Sequence, residues 1–116
     1  MTYILETKLQ DNKYLYFALQ TIYGINRTQS FILLKKLGVS KNLKVKNLSE
    51  NQIKKLLFLV EKSDLVITSE LKKKLNLNLK KLISIKSYRG LRRIKGLPVR
   101  GQRTHTNGRT VRRVRN

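Results

Sequence analysis

The sequence predicts an all-α protein, with a small helical domain over residues 1–87 and an extended basic tail over residues 88–116. Three observations indicate this architecture. Apolar residues recur at helical spacing in the first part, capping residues and glycines separate the periodic segments, and the periodicity is lost from Tyr88 onward. A length of 116 residues accommodates one domain with one extension.

Four helices are predicted, near residues 13–23, 27–37, 49–62 and 68–86. The first helix has an apolar face and is expected to end at Gly24, because glycine commonly terminates a helix. Asn26 is a suitable N-cap for the second helix, since its side chain can accept a hydrogen bond from a free backbone N–H. Gly24, Ile25 and Asn26 are therefore predicted to form a very tight turn between two helices.

The third and fourth helices have their own markers. Ser49 and Gln52 have the spacing of a capping box ahead of an apolar run. The fourth helix is expected to bury one apolar stripe, made of Leu71, Leu75, Leu79, Leu82 and Ile83. The lysine run 72–74 lies off that stripe, which favours a solvated or phosphate-facing side. Residues 3–9 fit either a short strand or an irregular arm.

Charge is distributed unevenly along the chain, whose formal net charge is +21. Residues 86–116 contain eleven basic side chains, no acid and nine of the ten arginines, whereas fifteen of the seventeen lysines lie upstream. Arginine binds phosphate through two parallel hydrogen bonds and stacks on bases, so the tail is predicted to contact nucleic acid. Its few aliphatic side chains cannot offset the entropy of ordering it, so we expect the free tail to be disordered.

A nonspecific solubilising tail is the simpler alternative. It does not explain why Leu97, Pro98 and Val99 form an apolar pivot among regularly spaced glycines. The aromatic side chains are expected to serve mainly the core, although they are also able to stack on bases: Tyr3, Tyr14, Tyr16, Phe17 and Tyr23.

The chain lacks the residues that several classes of function require. The chain has no cysteine, which excludes disulfides, zinc knuckles and a thiol nucleophile, and no apolar run approaches the length of a membrane span. His105 is the only histidine and has no acid near it in sequence, so an RNA contact is a better interpretation than a metal ligand or a general base. Neither paired carboxylates nor a glycine-rich phosphate loop occurs. We therefore expect no enzyme, no cofactor and no membrane partner.

Several segments resemble one family, that of small-subunit ribosomal protein S-thirteen. Residues 96–110, GLPVRGQRTHTNGRT, resemble its tail signature, and residues 88–93, YRGLRR, resemble the approach to that tail. Residues 22–28, IYGINRT, resemble its helix-two-turn-helix motif, and residues 48–53, LSENQI, resemble its next helix start. The resemblance spans about residues 13–110 in the right order.

The resemblance also has departures. Asn26 stands where the family usually has a second glycine, and asparagine tolerates a left-handed conformation. Gly108 replaces a usual alanine, and bacterial members continue past the position of Asn116 with more basic residues.

The resemblance implies a structural protein in the head of the small ribosomal subunit that binds small-subunit rRNA during translation. It further implies a neighbour, ribosomal protein S-nineteen, intersubunit bridges that include large-subunit protein L-five, and an approach to peptidyl-site tRNA. The implied rRNA contacts are Arg89, Arg92, Arg93, Lys95, Arg100, Arg103, His105 and Arg109. The side chains that would lie nearest the tRNA are Arg112, Arg113 and Arg115.

Two alternative functions fit the sequence less well. A DNA-binding helix-two-turn-helix module normally accompanies a catalytic domain, for which the chain has no room, and a cationic membrane-active peptide requires an amphipathic moment that the glycine-spaced tail lacks. Alanine occurs once, and Leu, Lys, Ile and Asn are very common, which indicates an AT-rich genome. Together with a start at Met1 that has no presequence character, this favours an organelle-encoded mitochondrial protein, with a plastid or a bacterial cytoplasm as the alternatives.

Overall fold

The computed structural model describes residues 2–114 and confirms a mostly helical fold. The elements are β1 (Thr2–Ile4), β2 (Thr7–Leu9), α1 (Leu15–Leu19), α2 (Arg27–Leu37), a 3-10 turn (Val45–Asn47), α3 (Glu50–Lys62), α4 (Thr68–Ser84), α5 (Tyr88–Ile94) and α6 (Arg109–Val114). Within the described residues the only sheet is the antiparallel pair β1–β2, in which Tyr3 faces Lys8. The arm that the sequence left open is therefore a β-hairpin.

The chain divides into two compact units, unit 1 (Met1–Lys72) and unit 2 (Lys73–Asn116), and the boundary falls inside α4. Unit 1 has an apolar core built by the hairpin, α1, α2, the 3-10 turn, α3 and the segment before α4. The buried apolar residues of this core are Ile4, Leu9, Leu15, Ala18, Leu19, Ile22, Ile25, Leu33, Leu34, Leu37, Val45, Leu56, Val60 and Ile67.

Helix α1 is shorter than the predicted span 13–23. At its start, the backbone N–H of Leu15 donates to the Leu43 carbonyl over 2.7 Å, so the preceding residues pair with the connection between α2 and α3. At its end, the Thr21 hydroxyl donates to the Ala18 carbonyl over 2.7 Å, and Ile22 N–H bonds the Leu19 carbonyl. These shorter-range bonds replace the α-helical ladder, as threonine hydroxyls often do near helix ends.

The tight turn between α1 and α2 exists, but its left-handed residue is Gly24, with φ of 103°. A Cβ on Gly24 would meet the Ile67 backbone at 3.1 Å, which adds a second reason for glycine there. Asn26 is extended, with φ of −117°, and its side chain accepts a 2.8 Å hydrogen bond from Arg27 N–H. The prediction that Asn26 is the N-cap of α2 is therefore confirmed, and the tolerance of asparagine for a left-handed conformation is not used at this position.

Helix α3 begins with the predicted capping box. The Ser49 hydroxyl accepts from Gln52 N–H over 3.3 Å, and the Gln52 side chain accepts from Ser49 N–H over 3.0 Å. Leu56 and Val60 project from the following turns into the core of unit 1. The two reciprocal bonds satisfy backbone donors that a helix start otherwise leaves free.

The predicted buried stripe of α4 is wrong. None of the residues of α4, all of which the structure describes, is buried, and Leu75 is 50% exposed. Leu71, Leu82 and Ile83 are half-buried. The physical reason is that only the first turn of α4 belongs to unit 1, so most of the helix lies outside the unit that has the core. Across residues 2–114, no helix combines the length and the apolar character needed to cross a bilayer.

Candidate nucleic-acid interface

Unit 2 contains the strongest charge in the molecule. Its sequence holds fifteen lysine and arginine side chains and no acidic side chain. Unit 1 holds twelve basic and six acidic side chains. No acid of unit 2 offsets the repulsion among its basic side chains. The resulting positive potential attracts polyanions strongly.

Helix α5 carries the first group of arginines and is attached closely to the end of α4. The Ser87 hydroxyl accepts from Gly90 N–H over 3.1 Å and donates to the Leu82 carbonyl over 2.8 Å. A Cβ on Gly90 would lie only 2.5 Å from the Leu82 carbonyl oxygen. Glycine at this position is thus required by the close approach of two backbones, and it sets where Arg89 and Arg93 emerge.

A Schellman motif ends α5 and turns the chain back. Gly96, with φ of 66°, donates to the Arg93 carbonyl, and Leu97 N–H donates to the Arg92 carbonyl over 2.9 Å. The Arg92 Nε also donates to the Pro98 carbonyl over 3.1 Å, and its guanidinium lies 5.8 Å from the Tyr88 ring centre. Arg92 is half-buried, and its Nε ties the end of α5 to the apolar pivot through the Pro98 carbonyl.

The other predicted rRNA-contact side chains are solvent-exposed in the structure: Arg89, Arg93, Lys95, Arg100, Arg103, His105 and Arg109. The tRNA-proximal candidates Arg112 and Arg113 are also exposed, and Arg115 lies outside the described residues. Arg103 Nε donates to the His105 carbonyl over 3.4 Å, and an Arg112 Nη donates to the Asn107 carbonyl over 3.3 Å. Both arginines keep further guanidinium donors for a ligand.

The end of the tail is helical, where the sequence predicted extended chain. Helix α6 follows Gly108, which has φ of 83°, and the Arg112 N–H donates to the Gly108 carbonyl over 3.3 Å. Val111 and Thr110 of α6 line a cleft of about 190 Å³ together with Pro98. Pro98 is buried, so the apolar pivot anticipated from the sequence packs beside α6. A segment of six residues with four polar side chains has too weak an apolar period to reveal such a helix.

The turn residues occupy structural positions in unit 1. Ile25 is buried in the core, and Gly24 lies against Ile67. The Thr68 N–H donates to the Tyr23 carbonyl over 2.8 Å, which ties the start of α4 to this turn. The turn therefore connects α1, α2 and α4 within unit 1, and of its side chains Ile25 packs in the core while the exposed Asn26 caps α2.

The expectation that the aromatic residues serve the core is wrong for most of them. Tyr3, Tyr14, Phe17 and Tyr23 are exposed, and only Tyr16 is half-buried. The reason is that leucine, isoleucine and valine fill the core of unit 1. In the sequence the run 14–17 shows three aromatics in four residues, but it does not show which other segment lies beside them. Among residues 2–114, no group of three or more histidine, cysteine or acidic side chains is placed to hold a metal ion.

A small helical unit with its own core, joined to an acid-free unit that exposes arginines on short ordered segments, has the chemistry of a ribonucleoprotein component. Comparison with known proteins identifies the family within that class. The model of the ribosomal protein S13/S18 family matches residues 3–110, so the chain belongs to this family of small-subunit ribosomal proteins. The resemblance found in the sequence is thereby confirmed.

Individual relatives match over most of their length. The chain is 44% identical to small ribosomal subunit protein uS13m of Marchantia polymorpha over 99% of this chain and 95% of the relative. It is 43% identical to uS13 of Dehalococcoides mccartyi strain CBDB1, over 97% of this chain and 86% of the relative. Against uS13 of Borrelia duttonii it is 44% identical, over 88% and 81%. The chain is a structural, non-enzymatic protein of the small ribosomal subunit that acts in translation.

Proposed function

We propose that the chain binds small-subunit rRNA in the head of the subunit, and that the arginines of unit 2 make most of this contact. The observation that carries the proposal is the presence of exposed arginines on ordered segments of a unit that has no acid. Bidentate arginine–phosphate bonds, together with release of counterions from the RNA, provide the attraction. Family membership supports a ribosomal role for this surface.

The proposal assigns two roles to the basic residues. The exposed groups bind rRNA phosphates or bases, namely Arg89, Arg93, Lys95, Arg100, Arg103, His105 and Arg109. Arg92 binds RNA through its remaining guanidinium N–H groups, because its Nε already donates to the Pro98 carbonyl. The α6 arginines Arg112 and Arg113, with Arg115, would approach peptidyl-site tRNA.

The proposed protein neighbours are ribosomal protein S-nineteen and, across the subunit interface, large-subunit protein L-five. Their assignment rests on the family resemblance and on the solvent-exposed basic side chains of the protein. Lysine-directed cross-linking of assembled ribosomes tests it, because unit 1 exposes lysines such as Lys54 and Lys55. Cross-links to these two proteins are expected, and cross-links exclusively to other proteins would remove them as neighbours.

We further propose that the protein works in mitochondria, supported by the similarity to the Marchantia uS13m protein and by the AT-rich residue usage. Bacterial uS13 proteins are 43% and 44% identical to the chain, so fractionation distinguishes an organelle from a bacterial cytoplasm. Organelle fractionation followed by quantitative proteomics should recover the chain with mitochondrial ribosomes. Recovery with plastid ribosomes, or in a bacterial lysate, would contradict this part of the proposal.

Ultraviolet cross-linking tests the rRNA proposal in its native setting. Small subunits are isolated on a sucrose gradient and irradiated, and the peptide–RNA adducts are sequenced by mass spectrometry. We expect the protein to sediment with small subunits and to yield adducts to small-subunit rRNA between Arg89 and Arg113. A protein that sediments alone, or adducts confined to DNA, would reject the proposal.

A further inference from the structure

Unit 1 has a second cationic surface, which the arginine tail does not include. It is an open cleft of about 750 Å³ that has three aromatic side chains and three lysines in its lining. The aromatic side chains Tyr14, Tyr16 and Phe17 come from α1 and its start, and the lysines Lys41, Lys44 and Lys46 come from the connection between α2 and α3. We refer to these six residues as the aromatic–lysine cleft.

Backbone hydrogen bonds hold the two sides of the cleft together. Tyr14 forms an isolated antiparallel bridge with Lys44, and Leu15 N–H donates to the Leu43 carbonyl over 2.7 Å. Val45 N–H donates to the Lys13 carbonyl over 3.0 Å, and the Val45 side chain is buried in the core. The connection therefore cannot drift away from α1 without breaking main-chain bonds, so a ligand finds a preformed site and costs little ordering entropy.

Two of the three aromatic rings, Tyr14 and Phe17, lie outside the core, whereas the half-buried Tyr16 packs against it. Leu15, Ala18 and Leu19 are the residues by which α1 enters the core, whereas Phe17 is 56% and Tyr14 is 42% exposed. The Phe17 ring meets the Tyr16 ring edge-on, with centroids 5.1 Å apart and planes at 71°. Exposed aromatic rings grouped at one place commonly mark an interaction surface, because their burial would release water from large apolar areas.

Lysine ammonium groups already lie over ring faces at this surface. The Lys41 Nζ lies 4.3 Å from the centre of the neighbouring Phe31 ring and 5.7 Å from that of Tyr16, and the Lys44 Nζ lies 6.0 Å from that of Tyr14. Such contacts need an accessible π-face, and they are weak at solvent-exposed sites. A ligand with flat rings and negative charges would take over both partners at once, with its rings on the aromatics and its charges on the ammonium groups.

We propose that the aromatic–lysine cleft binds unpaired RNA nucleotides, by stacking bases on Tyr14 and Phe17 while Lys41, Lys44 and Lys46 neutralise the adjacent phosphates. Stacking platforms within a positively charged groove are how single strands are held with little sequence preference. The described residues that line the cleft include no acid, but they do include Asn42 and Asn47, whose amides can bond base edges. This inference rests on the proposed rRNA-binding function and assigns unit 1 a distinct share of it.

An acidic peptide is the competing occupant, since it would also satisfy the lysines. Such a peptide matches the cleft less well, because a carboxylate has no aromatic ring to stack on the exposed rings of Tyr14 and Phe17. Nucleotides match the rings, the amides and the ammonium groups together, which is why the observations favour RNA.

Fluorescence of 2-aminopurine, which stacking quenches, tests the cleft in the full chain. The probe is a single-stranded RNA of about 12 nucleotides that contains this base, and binding is measured at about 0.4 M salt, where the phosphate-driven contribution is reduced. The double variant Tyr14→Ala/Phe17→Ala should bind on the order of tenfold or more weakly and lose the quenching, since each stacked base contributes substantially.

Phe58→Ala is the matched control. Phe58 lies on α3, is 60% exposed and has the Lys62 Nζ 6.0 Å from its ring centre, so it reproduces the exposure and the cation contact outside the cleft. Its removal should leave affinity and quenching unchanged. A second pair, Tyr14→Leu/Phe17→Leu, keeps apolar volume but removes the stacking faces, and it should lose the quenching while the helical circular dichroism is retained.

The result that overturns the inference is retained affinity and quenching in both double variants. Displacement of the RNA probe by a polyglutamate peptide at equal charge concentration would also overturn it, in favour of an acidic protein partner. Arg100→Ala/Arg103→Ala, measured at low salt in the same assay, separates this test from the proposed function. If only the arginine variant weakens binding, the cleft inference is wrong and the proposal for the tail stands. If only the cleft variants weaken binding, the proposal for the tail is wrong and the cleft inference stands.

Discussion

Units 1 and 2 use opposite means to position their basic side chains. In unit 1 a core of leucine, isoleucine and valine holds the helices, and most of the basic groups are lysines, which lie on the outside. Unit 2 has few buried positions, and the described ones that are buried are Gly90, Gly96 and Pro98. Its order depends on main-chain contacts, such as Gly90 against Leu82, and on side-chain bonds to carbonyls, such as Arg92 to Pro98.

The difference indicates where each unit obtains its stability. Unit 1 buries enough apolar area to be stabilised by the hydrophobic effect. Unit 2 has fifteen like charges and little apolar burial, so its ordered form is expected to depend on a polyanion that neutralises it. Arginine suits this second role, because one guanidinium can bond a backbone carbonyl and a phosphate at the same time.

The same substitution in the two units should have very different effects on stability. Leu56→Ala removes a side chain that is 0% exposed and should lower the free energy of unfolding by about 2–5 kcal/mol. Leu75→Ala, on the half-exposed face of α4, should cost well under about 1 kcal/mol. Chemical denaturation followed by circular dichroism measures both. Equal losses would contradict the assignment of the core to unit 1 alone.

Two glycine variants test the attachment of α5. Gly90→Ala places a Cβ 2.5 Å from the Leu82 carbonyl and should displace α5 at a cost of about 1–3 kcal/mol, as overpacking does. Gly101→Ala meets nothing within 4 Å and is strained only by its φ of 68°, for a cost of about 1 kcal/mol. In the chain bound to rRNA, hydrogen exchange of the amides of α5 should rise sharply for the first variant and little for the second. Unchanged protection in Gly90→Ala would show that the close approach is not needed.

Two serines of unit 1 should respond with opposite signs. Ser49→Ala removes the hydroxyl that accepts from Gln52 N–H, which is one of the two bonds of the capping box, and should destabilise by about 1 kcal/mol. Ser30 is fully buried in α2, and its hydroxyl oxygen has no hydrogen-bond partner among the described residues, so Ser30→Ala should stabilise by about 1 kcal/mol. Thermal unfolding distinguishes the two signs. A destabilising Ser30→Ala would mean that the hydroxyl has a partner in solution.

The sequence reveals local signals well and tertiary surroundings poorly. The capping box at Ser49 and the N-cap at Asn26 were predictable because caps depend on neighbouring residues alone. The apolar stripe of α4 was predicted as buried because periodicity identifies an apolar face without identifying what covers it. The division of the chain into a domain over 1–87 and a tail over 88–116 stays a prediction.

The candidate site shows the same limit. Charge counts located the arginines in the tail, but not the bond by which Arg92 holds Pro98, because that contact joins residues across a turn. Exposure of Tyr14 and Phe17 also escaped prediction, since aromatic residues are usually buried and the lysines beside them come from the segment 41–46. The roles assigned to the individual arginines remain predictions until a complex is measured.

The salt dependence of RNA binding tests most directly whether unit 2 carries the rRNA contact. The full chain is titrated with a fragment of small-subunit rRNA at several salt concentrations, for the unaltered protein, Arg100→Ala/Arg103→Ala, and the charge-matched variant Lys54→Ala/Lys55→Ala in α3. We predict that the arginine pair lowers the slope of log affinity against log salt by about 0.7–0.9 per residue, whereas the lysine pair leaves it almost unchanged. Equal slopes for all three proteins, or a larger fall for the lysine pair, would contradict the account.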